Sequence, residues 1–85
     1  MTGPLKEFRI VDTTSMVSGP SPAMLLADQG ADVIKVENPK GGDHTRSSAN
    51  TQNGFSANFL NNNRNKRSVT LNLKNDRAKR AFLKI

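Results

Sequence analysis

Hydrophobic and polar positions near the start of the chain predict a strand followed by a helix. Residues 8–11 include three apolar side chains, and the polar residues 12–15 follow them. This pattern is typical of a strand over residues 8–12 that ends in a loop. Further along, apolar residues recur at the spacing of one helix face, at Pro20, Ala23, Met24 and Ala27. The spacing predicts a helix over residues 20–29.

The predicted helix has start and stop signals of its own. Ser18 can cap the first turn with its hydroxyl, and Pro20 is tolerated in that turn. Gly30 is expected to end the helix because glycine readily adopts the positive φ of a C-terminal cap. The mostly apolar residues 31–36 then predict a second strand. A strand, a helix and a strand with short loops form a βαβ unit, which implies a parallel sheet and a right-handed crossover.

The following segment predicts a loop, a short helix and a third strand. Residues 38–54 are rich in Asn, Gly, Ser and Thr, which favours an exposed loop. Residues 55–60 predict a helix of one or two turns at most. Strict alternation over residues 68–73 predicts a strand with three side chains pointing inward, those of Val69, Leu71 and Leu73.

A last helix is predicted near the end of the chain. Asn75 can cap its N-terminus. Its apolar stripe is formed by Ala78, Ala81, Phe82 and Ile85. The sequence ends within this stripe, so we interpret residues 1–85 as the N-terminal part of one domain in a longer protein. A complete small basic protein is the alternative interpretation.

Composition limits the size of the core and the kind of site. The 85 residues make at most one small domain, and only 34% of them are apolar, with no Trp or Tyr. Within this segment, the absence of cysteine excludes a disulfide, a thiolate zinc site and a cysteine nucleophile, and one histidine cannot form a metal site alone. No apolar run has membrane-spanning length and the start does not look like an export signal. We therefore expect no metal, no membrane contact and a cytoplasmic location.

The net charge of +6 is concentrated near the C-terminus. Between Arg64 and Lys84 lie eight basic residues against a single acid, Asp76. Such a field attracts anions, including phosphates on a cofactor or on nucleic acid. A solvated surface, or one that faces an acidic part of a longer chain, explains the cluster as well. A basic nucleic-acid-binding module is therefore kept as an alternative, although the lysines interrupt a strand instead of lining one helix face.

The turn before the first helix differs from a dinucleotide site. Such a site needs G-x-G-x-x-G, so that backbone N–H groups can approach a pyrophosphate. Here the turn reads S-G-P-S-P-A, and Pro20 and Pro22 lack the N–H group. Glu37 resembles the ribose-binding acid of NAD enzymes, which keeps that alternative open, although solvation or a nearby lysine also explains it. We further predict a local ion pair between Asp43 and Arg46.

Four segments occur in a recognisable order. They are SGP at 18–20, ADQGADVIKVE at 27–37, GGD-x-TR at 41–46 and NKRSVTLNLK at 65–74. In this order and spacing they resemble the N-terminal region of the class III CoA-transferases, a family that includes formyl-CoA and carnitine CoA-transferases and α-methylacyl-CoA racemase. The opening PLKEFRIVDTT resembles the first strand of that family, so the resemblance covers nearly all of the chain.

The resemblance implies an α/β fold with a Rossmann-like open parallel sheet, of which residues 1–85 are the N-terminal fragment. It implies an enzyme that moves CoA between an acyl-CoA and a carboxylic acid, with these two as substrates and no permanently bound cofactor. In the family the acyl group forms a mixed anhydride with an aspartate of a later segment, so we assign no catalytic residue here. The family also forms interlocked homodimers. A 2-methylacyl-CoA racemase on the same fold is the alternative.

By position, the resemblance places seven residues along CoA: Val17, Ser18, Asn38, Leu71, Asn72, Leu73 and Lys74. Lys74 is the expected phosphate partner, as a flexible point charge. These positions lie where the predicted strands end, and open parallel sheets bind ligands at that edge. Formyl-CoA transferases have glutamine at position 17 and arginine at position 38. Val17 and Asn38 therefore argue against formyl or oxalyl chemistry and leave the acyl group open.

Overall fold

Strands and helices alternate along the chain. The computed structural model describes residues 3–47, 51–52 and 55–85. In chain order the elements are β1 (Arg9–Asp12), α1 (Pro20–Asp28), β2 (Asp32–Glu37), a 3₁₀-helix (His44–Ser47), β3 (Thr51–Gln52), β4 (Phe55–Ser56), α2 (Ala57–Asn63), β5 (Lys66–Thr70) and α3 (Asp76–Leu83).

The centre of the fold is a parallel sheet in the order β1-β2-β5. β1 pairs with β2 from Arg9 opposite Asp32 to Asp12 opposite Lys35. β2 pairs with β5 from Val33 opposite Lys66 onward. The predicted α/β class, the open parallel sheet and the helix between the first two strands are confirmed. β3 and β4 form a separate antiparallel pair.

Helix α1 begins and ends for different local reasons. Gly19 is the N-cap, so the prediction of Ser18 in that role was wrong. A side chain at position 19 does not fit, because a Cβ there meets the Thr14 Cβ at 2.3 Å. At the other end, Gly30 has a φ of 100° and donates its N–H to the Ala27 carbonyl at 3.0 Å. The predicted stop at Gly30 is therefore confirmed.

The apolar core lies between α1 and the sheet. Ala27, Ala31 and Val33 are buried at its centre. Leu5, Ile10 and Ala23 pack around them and are partly buried. Because the central side chains are small, this core is thin, as the composition predicted.

The third strand of the sheet, β5, lies earlier in the sequence than predicted. We expected it at 68–73, but it covers Lys66–Thr70. Its partner β2 ends at Glu37, whose carbonyl accepts the Leu71 N–H at 3.1 Å as the last ladder bond. Beyond that point the chain turns, and Leu73 is 37% exposed. The predicted inward position of Leu73 was therefore wrong, whereas Val69 and Leu71 are half-buried.

The helices of the second half also differ in detail from the prediction. α2 begins at Ala57 and continues to Asn63, whereas we expected a helix over 55–60. Asn75 caps α3 as predicted, since its side chain accepts the Arg77 and Ala78 N–H groups. No helix among the described residues has the length and apolar character needed to cross a membrane.

The segment after β2 was predicted to be an exposed loop and is only partly so. Residues 48–50 and 53–54 of that prediction lie outside the described residues. Within the described part, His44–Ser47 form a 3₁₀-helix, and Asp43 and Thr45 are buried. Polar composition misled the prediction because these side chains hydrogen-bond to one another inside the fold.

Candidate functional site

A cleft of about 270 Å³ lies at the carboxyl edge of the parallel sheet. Its walls come from the segments that leave β1, β2 and β5, which is the edge where open parallel sheets bind ligands. The lining residues are Thr13, Val36, Glu37, Asn38, Pro39, Leu71, Asn72, Leu73 and Lys74. Five of the seven predicted site residues are among them, namely Asn38, Leu71, Asn72, Leu73 and Lys74.

Short local hydrogen bonds shape the two loops that form this cleft. The Asn38 side-chain oxygen accepts the Lys40 N–H at 2.8 Å. The Asn72 side-chain oxygen accepts the Lys74 N–H at 3.1 Å. In both turns, the Asn side chain takes the place of a backbone carbonyl and accepts the N–H of the residue two positions later. They fix the direction of each loop as it leaves its strand.

Val17 and Ser18 do not line this cleft. They lie in the β1–α1 loop with exposed side chains, and Val17 is 53% exposed. A second cleft of about 250 Å³ continues toward that loop. It shares Thr13, Val36, Glu37 and Asn38 with the first cleft and adds Thr14, Ser15, Lys40, Gly42, Asp43 and His44. The structure thus brings five predicted residues together and leaves two beside the continuation of the groove.

Glu37 is buried and fully engaged, contrary to the solvated position considered from the sequence. Arg46 holds both of its carboxylate oxygens, with two N–O distances of 2.7 Å. Ser68 donates its hydroxyl to Glu37, and the Asp43 N–H donates at 3.0 Å. The Arg46 guanidinium is the main cause that lowers the pKa of Glu37 from 4.5 to about 2, against the opposing effect of burial. This carboxylate is not available to bind a ribose, which removes the support for an NAD site.

The predicted ion pair between Asp43 and Arg46 was wrong. Arg46 pairs with Glu37 and covers the Phe59 ring, with 3.8 Å from the guanidinium carbon to the ring centre. Asp43 pairs instead with Lys35 at 2.9 Å. Burial raises the pKa of Asp43, but hydrogen bonds from Thr45, Lys35 and Met16 outweigh it and hold that pKa well below its usual range.

Beneath the groove lies a buried chain of four alternating charges, formed by Lys66, Asp12, Lys35 and Asp43. The Lys66 ammonium is 2.7 Å from Asp12, and the Lys35 ammonium is 3.8 Å from the same carboxylate oxygen. Burial lowers the pKa of Lys66, with Asp12 opposing. Burial raises the pKa of Asp12, yet hydrogen bonds from Lys66 and Thr14 bring it below its usual value.

Sequence reasoning missed this buried chain. The sequence spacing around Asp12 and Asp43 does not indicate that either is a member of a charge cluster. The available signal was Lys35, a charge in the middle of an otherwise apolar central strand. Because charges are rarely buried without partners, such a lysine indicates an acidic partner on a neighbouring strand.

The basic cluster between residues 64 and 84 is partly neutralised. Arg64 pairs with Asp28 and Arg67 pairs with Asp32, each at 2.7 Å, while Lys66 is buried against Asp12. The remaining cations of the cluster are exposed: Lys74, Arg77, Lys79, Arg80 and Lys84. Within the described ranges, no group of three or more His, Asp or Glu side chains is placed to hold a metal ion.

Comparisons with known proteins agree on one family. The profile of CoA-transferase family III matches residues 5–85. A succinyl-CoA:mesaconate CoA-transferase from Haloarcula marismortui is 44% identical over 88 residues, covering 98% of this chain and 22% of the relative. A formyl-CoA:oxalate CoA-transferase from a Bradyrhizobium species is 45% identical over 86 residues, covering 100% of this chain and 20% of the relative.

A solved structure has the same fold over this segment. The crystal structure of Rv3272 from Mycobacterium tuberculosis superimposes with a TM-score of 0.85 at 42% identity. It covers 98% of this chain, which in turn covers 22% of that protein. The chain therefore spans about a fifth of the length of the relatives it matches. The profile match over residues 5–85 and these relatives show that the chain belongs to CoA-transferase family III.

Proposed function

We propose that this chain is the N-terminal, CoA-binding segment of a CoA-transferase with a Rossmann-like domain, which moves CoA between an acyl-CoA and a carboxylic acid. The main support is the single cleft that joins Asn38 with Leu71–Lys74 at the carboxyl edge of the sheet. These residues are far apart in sequence, and the resemblance to the family independently places both groups along CoA. The matched relatives are themselves named CoA-transferases.

In this proposal the cleft binds the CoA moiety of the substrate, and other segments of the protein bind the reacting acyl group. Lys74 is an exposed cation on the wall of the cleft, suited to one phosphate of CoA. Asn72 and Leu73 precede it in a turn whose direction is fixed by the Asn72 side chain. The loops thus present one cation, Lys74, together with apolar side chains such as Leu71 and Leu73, to an extended anionic ligand.

The chemical step belongs to a part of the protein outside this chain. An aspartate there attacks the thioester carbonyl, the CoA thiolate leaves, and a mixed anhydride forms between the aspartate and the acyl group. We place the active enzyme in the cytoplasm, as an interlocked homodimer of chains of the relatives' length. Below, "full-length protein" means such a chain containing residues 1–85.

Replacing Lys74 in the full-length protein tests the proposed binding site. Lys74→Ala is expected to weaken CoA binding by about 1.5–3 kcal/mol, because one charge-assisted phosphate contact is lost. Calorimetric titration with CoA measures this. Lys79→Ala, an exposed cation on α3 away from the cleft, is the matched control and is expected to bind CoA normally. Equal affinity in the wild type and Lys74→Ala removes Lys74 from the site.

The alternatives differ in what they predict for activity. A thioester-exchange assay with succinyl-CoA and formyl-CoA as donors measures transfer of CoA, whereas a racemase exchanges the α-proton of a 2-methylacyl-CoA without an acceptor acid. Residues 1–85 alone are expected to be inactive and not to form a stable monomer, because β1 and β5 leave sheet edges unpaired in the described residues. Turnover together with a sharp cooperative melt of this segment contradicts that expectation.

The nucleic-acid alternative has lost part of its motivation. Arg64, Lys66 and Arg67 have carboxylate partners within the chain, which leaves a smaller field for phosphates. Binding to a short DNA duplex is expected to be weak and to fall steeply with added salt, since only counterion release drives it.

A further inference from the structure

The β1–α1 loop, residues 13–19, combines exposed side chains with a tightly held backbone. Met16 and Val17 expose about half of their side-chain surface, 51% and 53%. Met16 nevertheless has a φ of 72°, a left-handed conformation that is uncommon for a residue other than glycine. Such a conformation persists only where surrounding contacts determine it, and it concentrates at ligand-binding sites.

The contacts that hold this loop come from the buried charges. The Met16 N–H donates to an Asp43 carboxylate oxygen at 3.2 Å. The Lys35 ammonium donates to the Thr14 carbonyl at 3.1 Å and pairs with the other Asp43 oxygen at 2.9 Å. Both the Lys35 and Asp43 side chains are no more than 1% exposed. A buried ion pair therefore binds the loop backbone at two points, on either side of Ser15.

Asp43 also belongs to the loop that follows β2. Its Oδ1 atom, which accepts the Met16 N–H, also accepts the Thr45 N–H at 2.9 Å and the Thr45 hydroxyl at 2.8 Å. The next residue reaches the β1–α1 loop directly, since the His44 N–H donates to the Ser15 hydroxyl oxygen at 3.4 Å. Both loops line the second cleft, through Thr13–Ser15 of one and Gly42–His44 of the other. The ion pair thus joins the two loops.

We propose that Asp43 and Lys35 are positioning residues, which fix the backbone of the β1–α1 loop so that Val17 and Ser18, beside the second cleft, are held in place for the bound CoA substrate. This inference rests on the proposed function for its ligand, but its structural half stands by itself. Both side chains are buried. Each acts through the backbone of residues 14–16, which leads directly into Val17.

The test uses a double variant of the full-length protein, Asp43→Asn with Lys35→Met. Removing both charges leaves no buried ion without a partner, so stability is largely kept, whereas removing Lys35 alone leaves Asp43 buried without its cation. Asp12 keeps Lys66 as its counterion. The control is Asp32→Asn with Lys79→Met, the same chemical changes at exposed positions. Asp43→Asn alone is the second variant, since Lys35 then retains Asp12 and the Thr14 carbonyl.

Two measurements are made on each variant. Hydrogen exchange is expected to quicken at the amides of Met16 and Val17 but not at those of β2. CoA affinity is expected to fall by about tenfold in the double variant, which corresponds to about 1.4 kcal/mol, and by less in Asp43→Asn. The melting temperature is expected to stay near that of the control, which separates positioning from general loss of structure.

The outcomes distinguish this inference from the proposed function. Unchanged exchange at residues 16–17, or faster exchange with unchanged CoA affinity while Lys74→Ala weakens binding, overturns the positioning role alone. If the wild type does not bind CoA at all, the proposed function fails, and the exchange result still tests whether the ion pair holds the loop.

Discussion

Two aspartates in the sheet each lie between two cations, on opposite faces of the same three strands. Asp32 of β2 contacts Arg9 of β1 at 3.1 Å and Arg67 of β5 at 2.7 Å. Asp12 of β1 lies 3.8 Å from Lys35 of β2 and 2.7 Å from Lys66 of β5. The Asp32 side chain is 36% exposed, whereas that of Asp12 is 1% exposed.

The difference in solvent access gives these two clusters different roles. Around Asp32, water screens the charges and competes for the hydrogen bonds, so the cluster contributes little to stability. Around Asp12, helix α1 and the following loops exclude water, and every lost partner leaves a desolvated charge. Lys66 shows the compensation that burial requires, because it also donates to the Pro20 carbonyl at 2.9 Å and to Asn63 at 2.7 Å. The buried cluster thereby ties β1, β5, α1 and α2 together.

Removing the central carboxylate from each cluster tests the comparison with the largest expected effect. Asp12→Asn in the full-length protein is expected to cost about 3–5 kcal/mol of unfolding free energy, because Lys66 is left buried without a counterion. Asp32→Asn, the same change on the exposed face, is expected to cost far less. Urea unfolding followed by circular dichroism measures both. Equal losses in the two variants contradict the comparison.

The Glu37–Arg46 pair is intermediate between the buried and the exposed cluster. The Glu37 side chain is 4% exposed, whereas that of its partner Arg46 is 38% exposed. Arg46 lowers the pKa of Glu37 from 4.5 to about 2. The unfolded chain therefore binds the proton first as pH falls, so the stabilisation is complete above about pH 4.5 and is lost toward about pH 2. Because water screens the partly exposed Arg46, we expect a contribution of about 2–3 kcal/mol, somewhat less than the full shift implies.

Glu37→Gln isolates the effect of that carboxylate from the other acids. The unfolding free energy of the wild type is expected to fall more steeply between about pH 5 and about pH 2 than that of the variant, because only the wild type takes up this proton on unfolding. Urea titrations across that range provide the measurement. Parallel pH curves for the two proteins mean that Arg46 does not stabilise the charged form of Glu37.

Salt gives the smallest expected effect and separates the two clusters without a further substitution. Raising the ionic strength from about 0.1 M to about 1 M shortens the screening length from roughly 10 Å to roughly 3 Å. The small stability difference between the wild type and Asp32→Asn is expected to shrink, while the difference for Asp12→Asn persists. Urea midpoints at both salt concentrations measure this. A loss of the Asp12→Asn difference at high salt indicates that water reaches the cluster.

Local patterns predicted much of the fold. The first two strands, helix α1 and its end at Gly30 follow from apolar spacing and one residue of permissive φ. The Asn75 cap of α3 was also predictable, because its side chain bonds N–H groups two and three residues ahead. The end of β5 was not predictable in this way. β5 ends where its pairing partner β2 ends, at Glu37, and that residue is far from β5 in the sequence.

The candidate site was likewise predictable from the sequence only in part. The strand ends and the resemblance to CoA-transferases placed Asn38 and residues 71–74, and these lie together in one cleft. Neither showed that Arg46 neutralises Glu37 or that Asp43 turns away from Arg46 toward Lys35. Those pairings depend on which loop covers which face, and sequence spacing carries no such information.

By itself, the sequence determined the class of fold, the family, and the edge of the sheet where the cleft lies. Periodicity reports which side chains share a face, and ordered motifs report ancestry. Only the tertiary structure decided which charges are buried, because parallel pairing placed Asp12, Lys35 and Lys66 on one face of three strands and α1 then covered them. The free-energy cost of an unpaired charge depends on how much water is removed around it, and the assembled fold determines where water is removed.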